Sequence, residues 1–357
     1  MKHADAAIAG AGIIGLATAL ELAAAGLRVT VFERGQAMRE SSWAAAGMLA
    51  AADPENPAAL RPLSRFSVGL YPEFLAKIER LTGKRIPLRT KQTLQGAHEI
   101  PPGVKEVAPE KIQSIAPGLQ PGGLKFFLLD EHSLDPRDIA RALPEAAKAA
   151  GVTLLEETAV TAISAHSESA AVRTTNGEWT AGNFINACGA WAAALAEVPI
   201  SPRKGQMLLV QSSEPLSVTL RTPHLYLVPR GDGRIVIGAT VENAGYDKEV
   251  CPSAISALRN AAAELWPPVR EARILDTWAG LRPAAADSLP ILGMGMDEAP
   301  RRWLALGHFR NGIMLAPGSA RLLRQMILNE PRGVDAAPFS AERFAGMMHD
   351  NPCPAAI

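Results

Sequence analysis

Cysteine, tyrosine and net charge are all scarce in this sequence. Its 357 residues include three cysteines and three tyrosines, and 36 Lys+Arg offset 36 Asp+Glu to a formal charge of zero. Cys188, Cys251 and Cys353 are odd in number, far apart and outside any CxxC or Cys/His ligand spacing. That pattern excludes a small disulfide scaffold, argues against a bound structural metal, and fits a reducing compartment. The zero balance removes the long-range electrostatic reason to expect a nucleic-acid or anionic-membrane partner. No stretch approaches the ~18 continuous apolar residues of a spanning helix. The apolar run behind Lys2 is punctuated by Gly10, Gly12 and Gly15 and ends at Glu21. It leads into a strand-like segment and not a cleavage site, so it is not read as a signal peptide, and a cytoplasmic protein is expected. With 48% hydrophobic residues, the usual ~150 residues per domain predict a globular protein of roughly two domains with a small-molecule role.

What is present begins at the N-terminus. Residues 5–9 read as a short buried strand, 14–25 as a helix of good helix formers capped by Gly26, and 27–32 as a second buried strand. Between the first strand and the helix lies Gly10-Ala11-Gly12-Ile13-Ile14-Gly15. In this GxGxxG spacing Gly10 permits the tight turn, Gly12 admits a pyrophosphate close to the backbone, and Gly15 lets helix pack on strand. The helix start, with Ile13 and Ile14, supplies amide donors and a positive dipole end. Glu33 closes the second strand, where a carboxylate accepts hydrogen bonds from ribose hydroxyls. An acid there, although Arg34 follows it, disfavours a 2′-phosphate and hence NADP. The unit predicts a bound dinucleotide and leaves NAD and FAD both open.

Ser41-Ser42-Trp43-Ala44-Ala45-Ala46-Gly47-Met48 is a run of small residues suited to lying against a flat ligand, or a plain flexible loop. A helix is expected from about 62 to 81 with Gly83 beyond it. Residues 86–134 read as irregular and turn-rich. Asp135 and Pro136 predict an N-cap and first-turn proline for a helix running to residue 150. Short strands are expected at 152–156, 160–164, 170–174 and 183–187. From 205 to 241 the pattern changes to short β-rich runs around the Gly231-Asp232-Gly233 hairpin signal, which predicts an antiparallel sheet unlike the opening βαβ unit. A helix near 253–265, a strand at 303–306 and a helix over 318–328 follow. The Pro-rich tail from Pro331 is expected to fray.

Three further strings accompany the N-terminal unit. They are Tyr226-Leu227-Val228-Pro229-Arg230 with Gly238-Ala239-Thr240 after the hairpin, Trp278-Ala279-Gly280-Leu281-Arg282-Pro283, and Gly307-His308-Phe309-Arg310-Asn311-Gly312-Ile313-Met314-Leu315-Ala316-Pro317. In their order and spacing the chain, from residue 5 to about 330, resembles the D-amino acid oxidase superfamily of flavoproteins, and within it the glycine oxidases of the ThiO type. The resemblance implies an α/β FAD-binding domain of the Rossmann-like, glutathione-reductase type, interleaved with an α+β substrate domain that contains an antiparallel sheet. It assigns 1–55, 135–204 and 278–330 to the first, 56–134 and 205–277 to the second, and 331–357 to a tail.

The same resemblance implies non-covalent FAD, since no His or Cys stands where relatives tether flavin. It places Gly10, Gly12, Ile13, Ile14, Gly15, Glu33 and Arg34 at the adenosine end. Ser41, Ser42, Ala45, Ala46, Gly47 and Met48 would lie along pyrophosphate and isoalloxazine, and Val160 near adenine. Ala187, Gly189 and Trp191 would contact the cofactor from the later strand. Arg310, Asn311, Gly312, Ile313 and Met314 would face the flavin ring.

Oxidation of an α-amino acid to its imine needs a carboxylate anchor, a neutral amine and Cα–H held against the flavin, which carries the hydride chemistry. Arg282 is the expected anchor, as a guanidinium fork binds carboxylate bidentately. Tyr226 is expected to donate to the same carboxylate, and Arg310 to stand close to the flavin and the carbonyl side of the substrate. Val241 and Met48, with Tyr226, would bound a small apolar pocket suited to glycine, sarcosine or small D-amino acids. His224 and His308 are read as structural, because hydride transfer from a neutral amine requires no protein base. O2 is the expected acceptor, with a quinone as the alternative, and a homo-oligomer is possible. The imine product would suit thiazole synthesis for thiamine. A D-amino acid or sarcosine dehydrogenase or oxidase outside that pathway, and a non-enzymatic flavin-binding subunit, are the competing readings.

Overall fold

The structure is a computed structural model, and it describes residues 2–165, 169–196, 198–296 and 301–347. Cys353 lies outside them.

Two large sheets organise the chain. The first has its central strand at Lys2–Ala9, paired in parallel with Gly177–Asn186 on one side and Val29–Phe32 on the other. Thr153–Leu155 extends it beyond Val29–Phe32, and Arg302–Leu306 beyond Gly177–Asn186, again in parallel. Ala4, Ala6, Ala7, Ile8 and Ala9 are all buried, as expected for a parallel strand covered on both faces. Helices Ile13–Ala24, Pro136–Ala149 and Gly312–Ile327 supply much of that cover, in one core with the long helix Arg61–Thr82.

The second sheet has seven strands, antiparallel except where Thr219–Arg221 runs parallel to Thr93–Ala97. Its longest pair, Ile200–Gln211 against Arg273–Ala285, is in register from Ile200↔Ala285 to Gln211↔Arg273 with one irregularity at Leu209/Val210. Helix Pro252–Leu265 packs on it around the fully buried Trp266.

Local chemistry accounts for the element ends. Asp135 caps its helix by accepting from the backbone N–H of Arg137 at 3.0 Å, with Pro136 in the first turn. The helix expected over 62–81 spans Arg61–Thr82 and ends on Gly83 in the left-handed conformation.

Three expectations are corrected. The stretch 86–134 is not irregular throughout: it forms strands Thr93–Ala97 and Lys125–Leu129 and a helix, Pro109–Ile115. The helix expected from 318 begins six residues earlier, at Gly312, and contains Pro317. A proline cannot donate to the carbonyl four residues back, and here the freed Ile313 carbonyl accepts the Tyr71 hydroxyl at 2.5 Å. Ser67 serves the same turn, donating to Met314 O at 2.7 Å and accepting from Gly318 N at 2.9 Å. Finally, residues 331–347 do not fray: Phe339 and Phe344 are buried, and Arg343 clasps Asp287 at 2.7 Å.

Candidate active site

A cavity of about 730 Å3 runs between the two sheets from Glu33 to Arg282, within the ~300–1,000 Å3 usual for small-molecule and cofactor sites. Its floor at one end is the glycine turn. Gly10 has φ +101°, and a Cβ on it would strike the Ala187 carbonyl; a Cβ on Gly15 would strike the Gly10 carbonyl. Gly15 therefore lies behind the cavity wall and acts through packing. Gly12 lines the cavity and begins the helix with no side-chain cap of its own. Ser42 reaches over to accept from Ile13 N at 3.0 Å. Glu33 is fixed by two backbone donors, Ala11 N at 2.8 Å and Gly35 N at 3.1 Å, so its carboxylate is aimed before any ligand arrives. A helix N-terminus, a backbone with no Cβ in the way and a fixed acid together fit a dinucleotide.

Along the middle, Ser41, Ala45, Ala46 and Met48 line one side, and Ser41 is tied to the second sheet by donating to Leu281 O at 2.5 Å. Gly47, with φ +85°, permits the turn against Leu134 O. Ile14, Arg34, Val160, Ala187, Gly189 and Trp191 also reach the cavity. So do Asn311, Gly312 and Ile313. Met314 does not: its side chain is in the core and its carbonyl is taken by Ser67.

The far end carries Arg282, Tyr226 and Val241. Arg282 donates to Thr240 O at 3.1 Å through one Nη atom, leaving the rest of its fork for a ligand. Gly205 and Gly238 make room for this pair, since a Cβ on Gly205 would strike the Arg282 guanidinium and one on Gly238 the Tyr226 hydroxyl. The Tyr226 hydroxyl contacts Met207 Sδ at 3.3 Å. Burial pushes its pKa up, opposed by the neighbouring Arg282, so it stays a protonated donor in neutral solution.

Arg310 also reaches the cavity, but its guanidinium is held by carboxylates, 2.6 Å from Glu55 and 3.2 Å from Asp53. Asp53 in turn lies 3.8 Å from Arg221, a buried arginine 3.0 Å from Glu131. Burial raises the Glu131 pKa against the pull of Arg221. This cluster was not legible in the sequence, because its members come from four distant segments. Nor were the cavity-lining Gly205, Met207 and Glu40; Gly205 left a trace only as a glycine inside a β-rich run.

The two histidines differ. His308 is buried and hydrogen-bonded to Ser319 Oγ at 3.0 Å, with burial pushing its pKa down to about 3. His224 lines the cavity. Cys188 also borders the cavity, but burial raises its thiol pKa to about 12, which makes it a poor nucleophile. Among the described residues no cluster of side chains is arranged to hold a metal ion, and no helix is long and apolar enough to cross a membrane.

Comparison with known proteins is consistent along almost the whole length. A glycine oxidase of Pseudomonas aeruginosa is 34% identical over 357 residues, covering 93% of this chain and 97% of the relative. The bifunctional protein ThiO/ThiG of a Synechocystis species is 36% identical over 95% of this chain, which spans about half, 54%, of that protein. The crystal structure of glycine oxidase from Geobacillus kaustophilus matches with a TM-score of 0.90 at 31% identity, over 96% of this chain and 99% of that one. Residues 5–326 match the model of the family described as FAD dependent oxidoreductase. The chain belongs to the DAO family of FAD-dependent oxidoreductases.

Proposed function

We propose that the protein oxidises glycine, and with it sarcosine or small D-amino acids, to the imine, using FAD held without a covalent bond. The observation that carries this reading is the placement of Arg282 and Tyr226 at the end of the same cavity that begins at the Gly10–Glu33 cradle. FAD, when bound, would accept the hydride from the substrate Cα.

The residues of the chain supply position and charge. Arg282 receives the substrate carboxylate on the donors that Thr240 leaves free. Tyr226, kept protonated, donates a second hydrogen bond. With the carboxylate fixed at this end, the Cα is directed toward the middle of the cavity, bounded by Met48 and Ala46. Val241 and Met207 line the cavity around the anchor and suit a substrate with little or no side chain. The start of the Gly312–Ile327 helix presents a positive dipole end to the opposite wall. Arg310, engaged by Asp53 and Glu55, contributes to that wall as a partly neutralised cation. No protein base is needed if the amine arrives neutral.

The imine would hydrolyse to the oxo acid and ammonia or pass to thiazole formation for thiamine, and O2 would become hydrogen peroxide. Free Cys188 and Cys251 support a reducing, cytoplasmic setting. We divide the chain into a cofactor domain of 1–55, 135–204 and 278–330 and a substrate domain of 56–134 and 205–277. The sheet pair Ile200–Gln211 and Arg273–Ala285 crosses the boundaries at 204/205 and 277/278 and so links the two domains.

The test is anaerobic mixing of the purified yellow holoprotein with glycine, sarcosine and D-alanine in turn, following bleaching of the flavin band. Bleaching by glycine is expected. Bleaching by D-alanine alone would move the substrate to the D-amino acids, and a protein that takes up no FAD would overturn the reading.

A further inference from the structure

A segment behind the cavity wall has no task in amine oxidation, yet it holds residues that line the cavity. Residues 242–249 leave the second sheet and cross to the cofactor side. The root of the segment is fixed from below. Lys204, only 4% exposed, places Nζ 2.5 Å from Asp247, an ion pair that offsets the cost of a buried ammonium. Gln206 donates to Glu242 Oε1 at 2.8 Å and accepts from Cys251 N at 2.6 Å. Arg203 holds the Asn243 side chain.

The tip is fixed to the other side. The Tyr246 ring stacks on Trp191 with centroids 5.8 Å apart and planes 25° from parallel, and its hydroxyl donates to Ala190 O at 3.2 Å. Lys248 Nζ lies 3.0 Å from Glu40 Oε2. Trp191 and Glu40 both line the cavity, as does Arg34, which sits 3.7 Å from the Trp191 ring centre and 3.2 Å from Glu40. Glu40 thus serves two cations, and the group carries one positive charge in excess beside the site of an anionic dinucleotide.

We propose that residues 242–249 form a strap that braces the wall of the dinucleotide site from the substrate side. Tyr246 and Lys248 are positioning residues: they hold Trp191, Arg34 and Glu40 at the end of the cavity marked by Glu33. FAD release then requires the Tyr246–Trp191 stack and the Lys248–Glu40 pair to part. The inference rests on FAD as the occupant of this cavity.

The test measures FAD itself. Holoprotein of wild type, Tyr246→Ala, Tyr246→Phe and Lys248→Ala is diluted and flavin release followed by the recovery of free-flavin fluorescence; the stripped proteins are then titrated with FAD. Tyr246→Ala is expected to raise both the release rate and the Kd about tenfold, about 1.4 kcal/mol. Tyr246→Phe keeps the stack and is expected within about twofold of wild type. Lys248→Ala is expected to fall between them at low salt and to converge on wild type at high salt, where an exposed pair is screened. Because Tyr246 is 52% exposed, the stripped Tyr246→Ala protein should melt with wild type. Should it melt well below, Lys248→Ala carries the test. Release and Kd equal to wild type in a folded Tyr246→Ala protein, or in Lys248→Ala at low salt, would overturn the strap. Failure of wild type to take up FAD would instead sink the cofactor assignment.

Discussion

Gly205 lies against the guanidinium of Arg282, so closely that a single added methyl group would collide with both of its Nη atoms. Gly205 pairs with Gly280 across the two longest strands of the second sheet. The position is therefore held by backbone on both sides, and the arginine is the part that must move. Gly205→Ala is expected to displace Arg282 and raise the KM for glycine at least tenfold. FAD uptake should be unchanged, because the cradle at Gly10 and Glu33 lies at the other end of the cavity. Steady-state kinetics and the flavin spectrum of the purified variant check this together, and an unaltered KM would show that the guanidinium has somewhere else to go.

Removing the anchor itself should cost more. Arg282→Met leaves the stem of the side chain and deletes the fork. The loss of a hydrogen-bonded charge partner is about 2–5 kcal/mol, a rise of roughly 30-fold or more in the KM for glycine. Simple carboxylates that compete with substrate should weaken in parallel, since they use the same donors. Retained inhibition by acetate in this variant would remove Arg282 from the carboxylate site.

Part of the fold and of the site was legible in the sequence, and the division follows how local each contact is. The Gly10–Gly15 turn, Glu33 and the Asp135 cap were readable because their physics is local: positive φ, a helix start and a side chain two residues from its target. Arg282 and Tyr226 were readable only as parts of family strings, for a lone strand arginine or tyrosine carries no mark of its task. The Arg221–Asp53–Arg310 cluster and the Tyr246–Trp191 stack were invisible, being contacts between segments hundreds or tens of residues apart. The early start of the Gly312–Ile327 helix was not legible either, because the groups that Pro317 disturbs are taken up by Tyr71 and Ser67, far upstream.

The pH dependence follows from which groups stay silent. Burial raises the Tyr226 pKa and lowers that of His308 to about 3. Between pH 6 and 9 the first therefore remains a protonated phenol and the second a neutral imidazole. The rise of kcat/KM with pH should then belong to the substrate amine as it loses its proton. Neither His308→Asn nor His224→Ala is expected to shift that limb by more than about half a unit, whatever either does to stability. A shift of a full unit in His224→Ala would identify a protein base lining the cavity and replace the base-free account.

One buried carboxylate ties together the scaffold that holds the cradle. Glu21, buried in the helix Ile13–Ala24, accepts from Lys77 at 2.9 Å and Arg321 at 2.6 Å, with Arg324 at 3.4 Å. It thereby ties three helices together. Burial alone would raise its pKa, but the hydrogen bonds from Arg321 and Lys77 outweigh burial and hold it below the usual carboxylate value. A depressed pKa in the folded state means that the carboxylate stabilises the fold above its unfolded pKa of about 4.3, and that this contribution is lost as the pH falls through the lower, folded value. Breaking a fully buried pair costs about 3–5 kcal/mol, and the partial exposure of Lys77 and Arg321 reduces that to about 2 kcal/mol. Glu21→Gln is thus expected to unfold at lower urea concentration at pH 7 by about that amount, measured on the FAD-free protein to exclude ligand stabilisation. The gap between variant and wild type should narrow as the pH falls below the unfolded value and through the lower, folded one, where the wild-type carboxylate also becomes neutral. A gap that stays constant from pH 7 to pH 3 would mean that Glu21 contributes by packing and not by charge.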